Sequence, residues 1–306
     1  MTIALLFPGQ GTQHPHMLPW LDSHAEAAPL LDALAARLGA DWRQHLADTA
    51  WSQGNAVAQP LMTACCLAAW AVLAPRLPRV VAVAGYSVGE LASFAAAGVF
   101  STDSALLLAD VRAAAMDRCS TGEPAGLLSL SGVSADDVSA ACERWSLEVA
   151  IRLAPDQCVV GGAVASLTLA AEALAQHGVQ TRLLGVRVAS HTSAMRPAAA
   201  EFAQAIESMP FNAPRTALVT GYDGASVRNV EGLRTALAGQ IASELRWADC
   251  VEAVAERQPA CVLEVGPGTS LARLWRKSRP DIAVRSVDEF SSAEAVLRWV
   301  DAAQRP

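Results

Sequence analysis

The chain lacks several things that would place it in other classes. Its longest apolar stretch, Leu61 to Ala74, runs for about a dozen residues, short of the roughly 18 that a spanning helix needs. No basic leader precedes the first apolar run: Ile3–Phe7 passes straight into Pro8-Gly9, which reads as a first strand and not a signal peptide. Lysine is almost missing, with Lys277 the only one, and the 23 basic residues are outnumbered by 30 acidic ones for a net charge of −7. That balance argues against a nucleic-acid binder. The seven cysteines, Cys65, Cys66, Cys119, Cys142, Cys158, Cys250 and Cys261, are odd in number and include no Cys-x-x-Cys pair, so free thiols in a cytoplasmic protein are expected. His14-Pro15-His16 supplies two imidazoles without a third ligand and is expected to be solvated surface, not a metal site. There is no internal repeat and no low-complexity linker.

What remains is a chain built to bury a core. With 306 residues, 52% of them hydrophobic and 17% charged, it suits one large domain, or a large one carrying an insert. Pro60 is placed to start a helix running to about Leu73, since proline favours the first helical position. Ser101-Thr102-Asp103 signals the cap of a helix that ends near Arg118. The pattern breaks at Thr121-Gly122-Glu123-Pro124. From Gly126 to Val188 the order reads strand (126–131), helix (135–145), strand (147–153), a turn at Pro155-Asp156, strand (157–161), helix (166–177), strand (180–188). That is βαββαβ, the ferredoxin-like signature. The expected architecture is therefore α/β: an α/β-hydrolase-like catalytic subdomain with a parallel sheet over 1–122 and 189–306, and an inserted ferredoxin-like subdomain over 123–188. Substrate is expected in the cleft between them.

The strongest chemical signal is Gly85-Tyr86-Ser87-Val88-Gly89-Glu90, set between the apolar run Val80–Ala84 and the helical run Leu91–Ala97. Strand, sharp turn and helix with glycines on both sides of a serine form a nucleophile elbow, which lifts the hydroxyl above the carboxyl edge of a sheet. Ser87 is the candidate nucleophile, and acyl chemistry is the first hypothesis, because the helix start aims amide groups at a developing oxyanion. Close to the amino terminus, Pro8-Gly9-Gln10-Gly11-Thr12-Gln13 adds a second glycine loop whose Gln10 can offer donors to the same oxygen.

Phe7–Gln13 and Gly85–Glu90, followed in order by Arg112, by Ala189-Ser190-His191-Thr192-Ser193 and by Glu264-Val265-Gly266-Pro267-Gly268, resemble the motifs of malonyl-CoA:acyl-carrier-protein transacylases across nearly the whole chain. The resemblance implies a ping-pong acyltransferase. In it His191 is the base that activates Ser87, Gln10 and the Val88 N–H form the oxyanion hole, and Arg112 grips the free carboxylate of a malonyl thioester. It further implies that a backbone carbonyl orients His191. The matching segment is Ser243–Trp247, where relatives carry Asn-x-x-Gln-Trp, and this assigns the role to Arg246. No bound cofactor is implied; malonyl-CoA is the substrate, and the acceptor is a phosphopantetheine or CoA-derived thiol on an acyl carrier protein.

Two positions depart from the family pattern. Relatives place His before the nucleophile and Phe before the base, whereas this chain has Tyr86 and Ser190, both expected at the substrate. A serine at the second position leaves room for a methylmalonyl group. The sequences around Ser87 and His191, with Arg285-Ser286-Val287-Asp288-Glu289-Phe290, also look like the malonyltransferase (epsilon) subunit of bacterial malonate decarboxylase, which implies that decarboxylase's small carrier subunit as partner. A fatty-acid or polyketide transacylase, a serine esterase and a non-catalytic scaffold are the alternatives. The basic run Arg273, Arg276, Lys277, Arg279 is a candidate docking patch for carrier or CoA.

Overall fold

The computed structural model describes residues 2–119 and 122–303. Its ten strands among these residues are β1 (Thr2–Phe7), β2 (Arg79–Gly85), β3 (Ala125–Ser131), β4 (Glu148–Ala154), β5 (Gln157–Ala163), β6 (Gln180–Leu183), β7 (Ala217–Thr220), β8 (Ala225–Val227), β9 (Cys261–Glu264) and β10 (Ala283–Ser286). The apolar runs that suggested strands form the middle of one sheet, ordered β10-β9-β1-β2-β7-β8. Every pairing in it is parallel except that of β7 with β8. Ile3 to Phe7 are at most 1% exposed, as a central strand covered on both faces requires.

Strand order places the site. β1 has β2 on one side and β9 on the other, so the chain leaves β1 in one direction and returns on the opposite flank, which opens a crevice at the carboxyl ends. Phe7 is level with Gly85 and Leu6 with Glu264. The loops that follow them, Pro8–Gln13, Tyr86–Val88 and Val265–Gly268, therefore emerge side by side.

The second sheet is antiparallel, in the order β4-β5-β3-β6. Within that unit the sequence is βαββαβ, with helices Ala135–Trp145 and Val164–Gln176 packed over a separate apolar cluster that includes Leu128, Val138, Val160 and Leu167. This is the ferredoxin-like arrangement predicted from the element order. Thr121, at the predicted pattern break, lies outside the described residues.

Two boundaries differ from expectation. β6 ends at Leu183 and not at Val188, because the chain turns away at Gly185, where a β-carbon would overlap the Gln53 carboxamide. The helix predicted from Pro60 begins at Asn55 and holds Pro60 inside it, after an extended Gly54 whose carbonyl takes the Val57 and Ala58 N–H groups. The proline removes one internal donor, yet the extra turn delivers Asn55 and Gln59 to the site. Continued by a 3-10 turn, Asn55–Arg76 is long and apolar enough to cross a membrane, but 78% of its most apolar window is buried inside the protein. It packs beside the elbow helix Gly89–Ala96.

Candidate active site

The elbow is forced by its glycines. A β-carbon at Gly85 would overlap the Glu90 amide, and one at Gly89 would overlap the Phe7 carbonyl. Only glycine lets β2, the turn and the helix approach so closely. Between them Ser87 sits at φ 54°, in the left-handed region that side chains avoid. Its hydroxyl is held from two directions.

The first is His191, whose Nε2 lies 2.9 Å from Ser87 Oγ. The imidazole is 1% exposed, and its Nδ1 lies 2.5 Å from the Gln240 carbonyl oxygen. A carbonyl can only accept, so Nδ1 carries the proton and Nε2 presents its lone pair to the serine. Burial, followed by the nearby Arg112 charge, pushes the imidazole down to about 3, against the opposing pull of the Gln240 carbonyl. The His191 main chain, also left-handed at φ 64°, donates to Ile241 O at 2.9 Å.

Gln240, and not Arg246, therefore faces the histidine. Arg246 caps the helix Trp247–Ala255; its carbonyl takes the Cys250 N–H, and its guanidinium pairs with Asp249 at 2.7 Å. Gln240 follows the helix Val230–Gly239, where main-chain carbonyls lose their helical partners and carry the negative end of the dipole. That makes it a suitable acceptor for the imidazole N–H. Its side-chain amide also reaches Ser87 O at 3.5 Å.

The second group on Ser87 is Arg112, at 1% exposure among the most buried charges in the protein. Its NH2 donates to Ser87 Oγ at 3.2 Å and its NH1 to Gln59 Oε1 at 2.8 Å. Gln59 is fixed in turn by donating to Met116 Sδ. Burial brings the guanidinium down to about 10, opposed by Glu90, so it stays charged at neutral pH. Glu90 is fully buried. Its Oε1 accepts the Gly221 N–H at 2.6 Å, and its Oε2 has no partner among the described residues. Burial raises it to about 8, partly offset by Gly221 and Arg112.

Gln10 follows Gly9, where a β-carbon would stand 2.7 Å from Tyr86 O and 3.6 Å from Ser87 Cβ. The loop is thus against the elbow. The Gln10 side chain, however, donates to Asn55 Oδ1 at 3.1 Å, and Asn55 donates to Asp117 at 2.7 Å. Its main-chain N–H is what remains to serve as a donor. Val88 immediately precedes the elbow helix as its N-cap. Tyr86 packs edge-on against Trp247, centroids 5.2 Å apart, and Ser190 is 6% exposed. A cleft of about 490 Å³ opens between the small subdomain and the loops around His191 and Ala242; its walls include Cys142, Glu148 and Arg152 on one side and His191, Ala242 and Glu244 on the other. Of Gln10, Tyr86, Ser87, Val88, Arg112, Ser190, His191 and Arg246, His191 alone lines it. Glu148 accepts from both the N–H and the hydroxyl of Ser193, so the small sheet grips the turn that follows the histidine.

Two surface expectations change. The basic run is mostly engaged: Lys277 pairs with Asp156, and Arg279 with Glu252 and Asp281. His14 is not simply solvated, because its ring meets a buried Asp288 at 2.6 Å. All seven cysteines are unpaired. Among the described residues no three metal-ligating side chains converge.

Comparison with known proteins gives one consistent answer. The family model described as acyl transferase domain matches residues 4–300. The malonyl CoA-acyl carrier protein transacylase of Mycobacterium tuberculosis is 34% identical over 295 residues, covering 93% of this chain and 96% of that protein. An acyl-carrier-protein S-malonyltransferase from Burkholderia pseudomallei superimposes with a TM-score of 0.89 at 29% identity, covering 97% of this chain and 100% of that one. A malonyl-transacylase solved in complex with a type II PKS acyl-carrier protein gives 0.89 at 25% identity, covering 97% and 99%.

Proposed function

The chain belongs to the acyl transferase domain family, and we propose that it takes malonyl from malonyl-CoA onto Ser87 and passes it to the thiol of an acyl carrier protein. One observation carries this reading: the Ser87 oxygen lies between an imidazole at 2.9 Å and a buried guanidinium at 3.2 Å. Nucleophile, base and carboxylate-selecting cation meet at a single atom. His191 Nε2 takes the Ser87 proton as Oγ attacks the thioester carbonyl. The main-chain N–H groups of Gln10 and Val88 hold the oxyanion, and Arg112 shifts from Oγ to the malonyl carboxylate. The tetrahedral intermediate collapses, and His191 returns the proton to the departing CoA sulfur. A carrier thiol then repeats these steps in reverse, leaving as the malonyl thioester with Ser87 free. The dyad works without an acid because Gln240 O orients the ring, which also separates this reading from an esterase triad.

The names of the relatives support an acyl carrier protein as acceptor. The finer proposal, carried by the sequence around Ser87, His191 and Asp288, is that the acceptor is the carrier subunit of malonate decarboxylase with its CoA-like group, in the cytoplasm. Residues 123–188 form the small subdomain in this reading, and 1–122 with 189–306 the catalytic one.

Intact-mass measurement after mixing with malonyl-CoA tests the core of the proposal. One malonyl group should appear on Ser87 and none on a Ser87→Ala variant; labelling of that variant, or a modified peptide elsewhere, overturns the assignment. Direct competition between a decarboxylase carrier and a fatty-acid carrier tests the acceptor. Faster transfer to the fatty-acid carrier would move the enzyme to fatty-acid synthesis.

A further inference from the structure

We propose that Asp288 is a positioning residue for the oxyanion hole, holding the Pro8–Gln13 loop so that the Gln10 N–H points at the reacting carbonyl; this rests on the malonyl-transfer reading above. The Asp288 side chain is 3% exposed and gathers three donors from two distant segments: the His14 ring at 2.6 Å, Leu18 N–H at 2.8 Å and Gly268 N–H at 2.6 Å. A carboxylate so satisfied is fixed in place. Its own backbone is fixed as well, because Ser286 Oγ accepts the Asp288 N–H while donating to Gly268 O at 2.5 Å. Both polar groups of the Gly268 backbone are thus held from the end of β10.

Gly268 transmits this to the oxyanion loop. A β-carbon there would come 2.7 Å from Thr12 Cβ, so its bare α-carbon is the surface on which Thr12 rests. Thr12 Oγ1 closes the turn by donating to Gly9 O at 3.2 Å, with Gln10 inside that turn. On the downstream side, His14 and Leu18 bind Asp288 directly. Because the Gln10 side chain is engaged by Asn55, the available donor is a main-chain N–H whose direction is a property of the loop. A few tenths of an ångström there alter the hydrogen bond formed only in the transition state.

The test uses the full chain with Asp288→Ala, Asp288→Asn and His14→Ala. The rate of Ser87 acylation by malonyl-CoA is followed by quenched intact mass, malonyl-CoA affinity is measured in a Ser87→Ala background, and hydrogen exchange is read over residues 8–18 and 85–91. Asp288→Ala should slow acylation about ten- to a hundredfold, a fraction of what losing an oxyanion donor costs, with affinity unchanged within about twofold. Exchange should quicken over 8–18 and not over 85–91. Asp288→Asn, keeping one acceptor, should fall between Ala and parent, and His14→Ala should slow the same step about threefold; these two decide the matter if Asp288→Ala does not fold. Acylation within about twofold of parent in the folded variants overturns the proposal, as does a loss that appears in affinity with the acylation rate preserved. Failure of the parent itself to acylate Ser87 would sink the malonyl-transfer reading and not the clamp alone.

Discussion

Gln59 accepts a 2.8 Å hydrogen bond from Arg112, so the guanidinium reaches Ser87 with one arm already secured. Replacing Gln59 by Leu leaves a buried charged donor without its acceptor. A hydrogen bond to a charged group contributes roughly 1.5–3 kcal/mol, and malonyl acylation should fall about ten- to a hundredfold. Acetyl-CoA, which offers no carboxylate to Arg112, should be affected about twofold or less. Arg112→Ala should show the same contrast more strongly, with malonyl transfer reduced by several orders of magnitude. Single-turnover rates with both thioesters provide the check; equal losses would make Gln59 and Arg112 packing residues.

Acidity should act on the enzyme in two windows. The buried His191 binds its proton only near about 3, against 6.5 for an ordinary imidazole. The native state then holds fewer protons than the unfolded chain between those values, and stability falls as pH drops through them. Acylation should stay near its full rate at pH 5, where an ordinary histidine would already be mostly charged. Glu90 is shifted the other way, from 4.5 to about 8, so the native state holds the extra proton and stability falls as pH rises across that range. Glu264, buried at the end of β9, is shifted likewise. Melting temperatures at pH 6 and pH 8.5 should show a drop of several degrees in the parent and a smaller one in Glu90→Gln, with Glu264 supplying the remainder. Identical drops in both proteins would remove Glu90 as a source.

Ser190→Phe should favour malonyl over methylmalonyl, since a ring beside the base occupies space near the substrate's α-carbon. One methyl in an apolar pocket discriminates by about 1–3 kcal/mol, so the selectivity ratio should rise about tenfold. A ratio that does not move would place Ser190 outside the pocket.

Arg246→Ala should leave acylation of Ser87 within about twofold of the parent, because the Arg246 guanidinium pairs with Asp249 and its carbonyl belongs to a helix. Gly239 and Ile241 are the residues to perturb instead, since they bracket the carbonyl that faces His191. A proline at Ile241, whose amide is bonded to Ala238 O, should slow acylation by at least tenfold. The same rapid-quench measurement serves for both variants, and a large loss in Arg246→Ala would return that residue to the site.

The sequence reveals the elbow and the order of elements because each rests on local chemistry. Gly85, Ser87 and Gly89 mark the turn within five residues, even though the carbonyl that excludes a β-carbon at Gly89 is that of Phe7 on β1, and the alternation from Gly126 onward encodes the small sheet. Gln59 and Gln240 are not legible in the same way. Each reaches the site through tertiary packing, one on a helix that begins five residues before the proline that signals a helix start, the other through a main-chain carbonyl that no side-chain pattern reports. The segment Ser243–Trp247 points to Arg246 only through alignment on its tryptophan, which says nothing about which carbonyl turns inward; that carbonyl is Gln240 O. A helix ending at Gly239 was the available signal for Gln240. The basic run looked like a patch because neither Asp156 nor Glu252 is near it in sequence.

Ser87 and His191 are 104 positions apart, and the whole antiparallel sheet is made between them. A growing polypeptide thus contains Ser87 long before it contains His191, and the Gln240 carbonyl that faces the imidazole is translated some fifty residues later still. A fragment ending before Gln240 lacks the carbonyl that His191 Nδ1 faces. The parts that meet at Ser87 are therefore all present only once the last strands, β9 and β10, have been made together with Gly268 and Asp288, which follow them and hold the Pro8–Gln13 loop.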